Sequence, residues 1–190
     1  MLNRRCIVWG IGAGALFPFL SHGSSAQPAM SRSTAFAFAF RTIDGQELRL
    51  ADHTGHPVLV VNTASLCGFT PQYAGLETLW TRYRDRGLLV IGVPSNDFGG
   101  QEPGGAPEIH ATAHRHGVTF PLAEKVSVRG ETAHPFYRWA AIQRPGETPR
   151  WNFHKYLVGR DGTLAAAFGS MVDPTDSRIV AAIERQLPAS

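Results

Sequence analysis

Apolar positions along the chain recur at two different spacings, and their order predicts alternating strands and helices. Phe36, Phe38 and Phe40 alternate with alanine, the period-2 pattern of a half-buried strand. Asp44-Gly45 supplies a hairpin turn, and Leu48 and Leu50 continue on the return strand. Val58-Leu59-Val60-Val61 is a short continuous apolar run, as expected of a strand covered on both faces. Tyr73, Leu76, Leu79, Trp80 and Tyr83 then fall at helical spacing, with Thr70 as the expected N-cap, Pro71 as the first helical residue and Gly87 as the stop. Leu88 to Val93 is a second buried strand, so this stretch predicts a βαβ unit with a parallel strand pair. A Gly/Pro-rich loop over Asp97 to Pro107 leads to a helix over Glu108 to His116, and a further helix is expected over Pro135 to Ile142. Tyr156 to Val158 and Leu164 to Phe168 flank Gly159-Arg160-Asp161-Gly162 as a second hairpin, and Ile179, Val180, Ile183 and Leu187 mark one face of a last helix. By itself this pattern predicts an α/β sandwich in one domain, over residues 36–190.

The first 26 residues depart from that plan. Arg4 and Arg5 precede the apolar stretch Ile7 to Leu20, and Ser24-Ser25-Ala26 offers the small residues of a cleavage site. The stretch is shorter than the ~20 residues of a membrane-spanning helix, so it reads as a signal peptide cut near Ala26. Its paired arginines resemble a twin-arginine export signal; the other reading is an ordinary secretory signal. Residues 27–35 are small and polar and are expected to form a flexible mature N-terminus. On this reading the mature protein is exported, to the periplasm of a bacterium, with no membrane span left.

Charge excludes some partners. The chain has 18 basic and 15 acidic residues; without Arg4 and Arg5 the count is 16 against 15, or +1. Such a balance gives no electrostatic basis for binding nucleic acid or an anionic membrane. Cysteine usage is more informative. Of Cys6 and Cys67, cleavage removes the first, so the mature chain cannot form an internal disulfide. Cys67 sits in Asn62-Thr63-Ala64-Ser65-Leu66-Cys67-Gly68-Phe69-Thr70-Pro71, where a buried strand ends and a helix begins. Strand ends of this kind bind ligands, and a helix N-terminus favours a thiolate. Gly68 is expected to leave room for a small oxidant. Taken alone, a buried structural cysteine is an equally good reading.

Further motifs change that balance. Asn62 to Tyr73 (NTASLCGFTPQY), Phe98 to Pro103 (FGGQEP), Gly117 to Pro121 (GVTFP), His134-Pro135, Trp151 to Leu157 (WNFHKYL) and Val158 to Gly162 (VGRDG) resemble, in order, the glutathione peroxidase family, from about Phe38 to Leu187. The resemblance implies a thioredoxin-like α/β fold: a mixed central sheet flanked by helices, with an extra N-terminal β-hairpin. It implies a thiol peroxidase that reduces hydrogen peroxide or organic hydroperoxides through a sulfenic acid at Cys67. Gln101, Trp151 and Asn152 stand where the family's peroxide-facing residues stand. Their amide and indole N–H groups can donate to a thiolate and a developing oxyanion without carrying charge.

Two departures narrow the reading. Thr112 stands where thioredoxin-using relatives carry a resolving cysteine, so the implied mechanism uses one cysteine and an external thiol. Ala165-Ala166-Ala167 replaces the basic residues of glutathione-using animal forms, which leaves glutathione and a thioredoxin-type donor both open. The short segment between Trp139 and Trp151 implies a monomer. No cofactor is implied. His110, His114 and His116 have metal-compatible spacing, but an exposed polar helix face is the simpler reading. A thiol–disulfide oxidoreductase needs Cys-x-x-Cys, and Thr70 occupies the second position. A non-enzymatic redox sensor is the remaining alternative.

Overall fold

A computed structural model describes Met30 and residues 32–188. The expected signal peptide and Cys6 lie outside the described residues. Strands β1 (Ala39–Arg41) and β2 (Glu47–Arg49) form the N-terminal antiparallel hairpin. Strands β3 (Val58–Thr63), β4 (Leu89–Pro94), β5 (Lys155–Val158) and β6 (Leu164–Phe168) form a four-stranded sheet in the order β4-β3-β5-β6. The β3/β4 pair is parallel and both other pairs are antiparallel, so the sheet is mixed as expected. Helices α1 (Gln72–Tyr83), α2 (Ala106–Arg115), α3 (Pro135–Gln143) and α4 (Ser177–Gln186) complete the fold.

Alternation along β3 divides the core. Leu59 and Val61 face a cluster with Tyr73, Leu76 and Leu79 of α1 and Ile179 and Ile183 of α4. Val58 and Val60 face the opposite cluster, with Phe136 and Trp139 of α3 and Phe40 of β1. Every residue of β3 and β4 is buried, which is why those runs show no polar alternation. Burying each such aliphatic side chain contributes roughly 1.5–3 kcal/mol.

Four local readings need correction. The strand expected from Phe36 starts only at Ala39, because Ala35–Ala37 form a 3-10 turn. The tail read over residues 27–35 is tied down at its end: the Ala35 amide donates to Gly162 O (2.8 Å) and the Trp139 indole to Ser33 O (2.9 Å). Gly162 has φ +78, and a Cβ there would lie 2.6 Å from the Phe36 ring, so that turn requires glycine. Helix α2 starts two residues before Glu108, whose carboxylate accepts the Gly105 amide (2.9 Å) and so acts from inside the first turn. Thr70 does not cap α1; Pro71 holds that position and Thr70 serves another purpose.

Candidate active site

Topology brings three segments to one end of the sheet. Strands β3 and β4 run parallel, so the segments after them, which carry Cys67 and Gln101, emerge at the same edge. Strand β5 runs antiparallel to β3, so the residues before it, Trp151 to His154, return to that edge. This is the carboxyl end of the parallel pair, where open α/β sheets bind ligands.

Hydrogen bonds within the turn close the Cys67 segment. The Thr70 hydroxyl donates to Ala64 O (2.8 Å) and accepts the Cys67 amide (3.2 Å), while the Thr70 amide donates to Cys67 O (3.0 Å). The Phe69 amide donates to Cys67 Sγ (3.4 Å). The amides of Gln72 and Tyr73 donate to Phe69 O and Thr70 O, so the sulfur meets one close amide, that of Phe69 ahead of α1, rather than an open ring of them. Cys67 is 7% exposed and is the free cysteine of the described residues. A Cβ placed at Gly68 would meet nothing within 4 Å, so the space beside that residue is open.

Gln101 is bound to both other segments. Its carbonyl accepts the Leu66 amide (3.0 Å) and its side-chain oxygen accepts Asn152 Nδ2 (2.9 Å). That second bond engages the oxygen and leaves the Gln101 amino group available as a donor. Gly99 and Gly100, at φ +65 and +63, turn the chain back before Gln101. A Cβ on Gly99 would stand 3.4 Å from the Trp151 ring, so Trp151 packs over bare backbone. Trp151 is 38% exposed, beside Phe98 at a ring separation of 6.0 Å. It is therefore no core aromatic. Asn152 is fully buried, and Phe153 after it has φ +63, the only positive value for a described residue other than glycine. This kink separates the exposed Trp151 from the buried Asn152 and Phe153, and such strain is typical of functional sites.

Some contributors were not singled out from sequence. Asn62 donates through Nδ2 to Trp151 O (3.1 Å) and accepts the His154 amide at Oδ1 (3.1 Å), which binds the Trp151 segment to β3. A polar residue inside the apolar run of β3 was the available signal, since buried amides must find partners. Glu102, next to Gln101, is fully buried and accepts the Ser65 hydroxyl (3.1 Å). Buried Lys155 donates to Gln72 Oε1 and to Val172 O (2.6 Å), and burial pulls its pKa down to about 8. Burial, with Lys155 beside it, also holds His154 neutral, at about 4. His110 pairs with Asp44 of the hairpin turn (3.2 Å). Among the described residues no group of three or more His, Cys, Asp or Glu could hold a metal ion. No described helix is long and apolar enough to cross a membrane.

Comparisons with known proteins agree with one another. Residues 35–141 match the family described as Glutathione peroxidase, a span that includes Cys67 and Gln101 and ends before Trp151. The chain is 44% identical over 169 residues to a hydroperoxy fatty acid reductase, gpx1, of Synechocystis, covering 84% of this chain and 99% of that one. It is also 44% identical over 149 residues to a glutathione peroxidase-like peroxiredoxin, GPX5, of Chlamydomonas reinhardtii, covering 76% and 92%. The solved structure of Trgpx in apo form superposes with a TM-score of 0.66 at 35% identity, over 83% of this chain and all of that one. A thiol:disulfide interchange protein of Chlorobium tepidum superposes at 0.61 with 14% identity, over 82% and 97%, a likeness of thioredoxin-type fold alone.

Proposed function

The chain belongs to the glutathione peroxidase family and is a thiol-dependent peroxidase, and we propose that Cys67 is its peroxidatic group. The Cys67 thiolate attacks one oxygen of the hydroperoxide. The O–O bond breaks, and the departing oxygen takes a proton and leaves as water or alcohol. The sulfur gives up two electrons and becomes a sulfenic acid. The amino group of Gln101 and the Trp151 indole N–H are the donors for the developing oxyanion, and Asn152 orients Gln101. One observation carries this reading: Leu66 N to Gln101 O and Asn152 to Gln101 link the cysteine turn to both other segments. The test is Cys67→Ser, which abolishes hydroperoxide consumption in the presence of a dithiol. Equal rates for wild type and variant would sink the proposal.

Regeneration comes from outside the molecule. Cys67 has no cysteine partner among the described residues, and Thr112 is buried on α2, its hydroxyl accepting from Arg115 (2.9 Å). An external thiol attacks the sulfenic sulfur, releasing water, and a second thiol frees Cys67 from the mixed disulfide. The protein works as a monomer. For the oxidant we favour an organic hydroperoxide with an apolar tail. Leu66 and Met171 are 67% and 83% exposed, and the loop of Met171 is tied to the start of α1 by Gln72 Nε2 to Ser170 O (2.7 Å). The name of the Synechocystis relative points the same way. Comparing kcat/KM for a fatty-acid hydroperoxide and hydrogen peroxide decides it; a ratio at or below one overturns the preference.

Residues 1–26 act as an export signal, removed near Ala26, and the mature enzyme works in the periplasm. N-terminal sequencing of the protein from cell fractions checks this; an intact Arg4-Arg5 segment in the cytosolic fraction refutes it.

A further inference from the structure

Two adjacent residues of the cysteine turn are each bonded to one of two adjacent residues of the Gln101 loop. The Leu66 amide donates to Gln101 O (3.0 Å), and the Ser65 hydroxyl donates to Glu102 Oε2 (3.1 Å). The peroxide chemistry accounts for Gln101 and has no use for Glu102, a fully buried carboxyl. Its backbone is fixed from two sides: its amide donates to Asn96 Oδ1 (2.8 Å), and its carbonyl accepts Lys125 Nζ (3.2 Å). Its other carboxyl oxygen, Oε1, has no partner among the described residues. The buried Tyr73 hydroxyl lies beside Thr63 and within electrostatic reach of Glu102. A buried carboxyl with one oxygen unpaired is costly to charge. Burial pushes the Glu102 pKa up, partly offset by Ser65 and Lys125.

We propose that Glu102 is a positioning residue for Cys67, holding the cysteine turn in its reactive shape through the Ser65 hydroxyl. It acts through geometry rather than charge, so a neutral side chain of the same shape serves equally well. The proposal rests on Cys67 being the reacting group, and its test is chosen to separate the two claims.

The rates of Cys67 oxidation by hydroperoxide and of alkylation by iodoacetamide are measured for Glu102→Gln, Glu102→Ala, Ser65→Ala and the double alanine variant. Thermal unfolding confirms that each is folded. Glu102→Ala and Ser65→Ala are each expected to lower both rates about tenfold, less than the ~10²-fold that a 1 Å misplacement can cost. The double variant is no slower than either single one, as for a single shared interaction. Glu102→Gln recovers both rates to within about threefold of wild type, which a need for the negative charge does not allow. The proposal is overturned if both alanine variants alkylate at the wild-type rate, if their effects multiply, or if Glu102→Gln is as slow as Glu102→Ala. Alkylation needs no peroxidase activity. A wild type that ignores peroxide but shows this alkylation pattern refutes the functional reading and leaves the positioning role standing.

Discussion

The turn that carries Cys67 and the segment that carries Trp151 and Asn152 reach the same end of the sheet by opposite means. The cysteine turn is closed mostly by its own residues, with Thr70 binding Ala64 O and the Cys67 amide within a few positions along the chain. The Trp151 segment has little local support and is held from 89 and 92 residues away by the side chain of Asn62. It also carries the left-handed Phe153. A local turn stays near its shape when the surrounding fold loosens, whereas a segment held at long range loses its geometry with the fold. The cysteine turn therefore rests mainly on short-range bonds, with Ser65 and Leu66 tied to the Gln101 loop, whereas the Trp151 segment is placed by tertiary structure.

The comparison can be broken most forcefully at Asn62. Asn62→Ala leaves the Trp151 carbonyl and the His154 amide without their partner, at a cost of about 3–4 kcal/mol. Denaturant unfolding should show that loss, and peroxide turnover should fall further than Cys67 alkylation. Equal loss of both rates would mean that the two regions are not separable. Nearly as large is a pH effect confined to the Trp151 side. His154 is held at about 4 in the folded protein by burial and by Lys155, against 6.5 when unfolded. A base whose folded pKa is depressed contributes stability above its unfolded pKa, and loses it as pH falls from 6.5 towards 4. The full effect is about 3 kcal/mol, from 1.36 kcal/mol per pKa unit. It is measured as the difference between wild type and His154→Phe in unfolding free energy at pH 7 and pH 4.

Thr70→Val keeps the shape of the side chain but removes the hydroxyl that binds Ala64 O and the Cys67 amide. The expected loss is about 2 kcal/mol, seen as a shifted unfolding midpoint, with a slower alkylation rate at Cys67. The smallest effect is at Gly99, where alanine must adopt φ +65 with its Cβ 3.4 Å from the Trp151 ring. About 1 kcal/mol is expected, with tryptophan fluorescence altered by the displaced Trp151.

Much of the fold and part of the site could be read along the chain. The apolar runs of β3 and β4, the helical spacing of α1 and the Asp-Gly and Gly-Arg-Asp-Gly turns are local signals, and each element formed where they stand. Boundaries erred where a residue had more than one use. Thr70 has the composition of a helix cap but closes the cysteine turn, and Phe36 alternates like a strand but lies in the middle of a 3-10 turn against Gly162. Resemblance picked out Cys67, Gln101, Trp151 and Asn152 as residues; it carried nothing about how they are held.

By itself the sequence determined where strands and helices lie and which cysteine remains after the expected cleavage. Those properties follow from spacing within a few residues, the range over which side-chain period and turn chemistry act. Only the tertiary structure decided that Gln101 turns its oxygen to Asn152, that Asn62 holds the Trp151 segment and that Glu102 is buried against Ser65. Each of those is a bond between residues at least 37 positions apart. Such partners meet only after the sheet has brought the ends of β3 and β4 and the start of β5 to one edge.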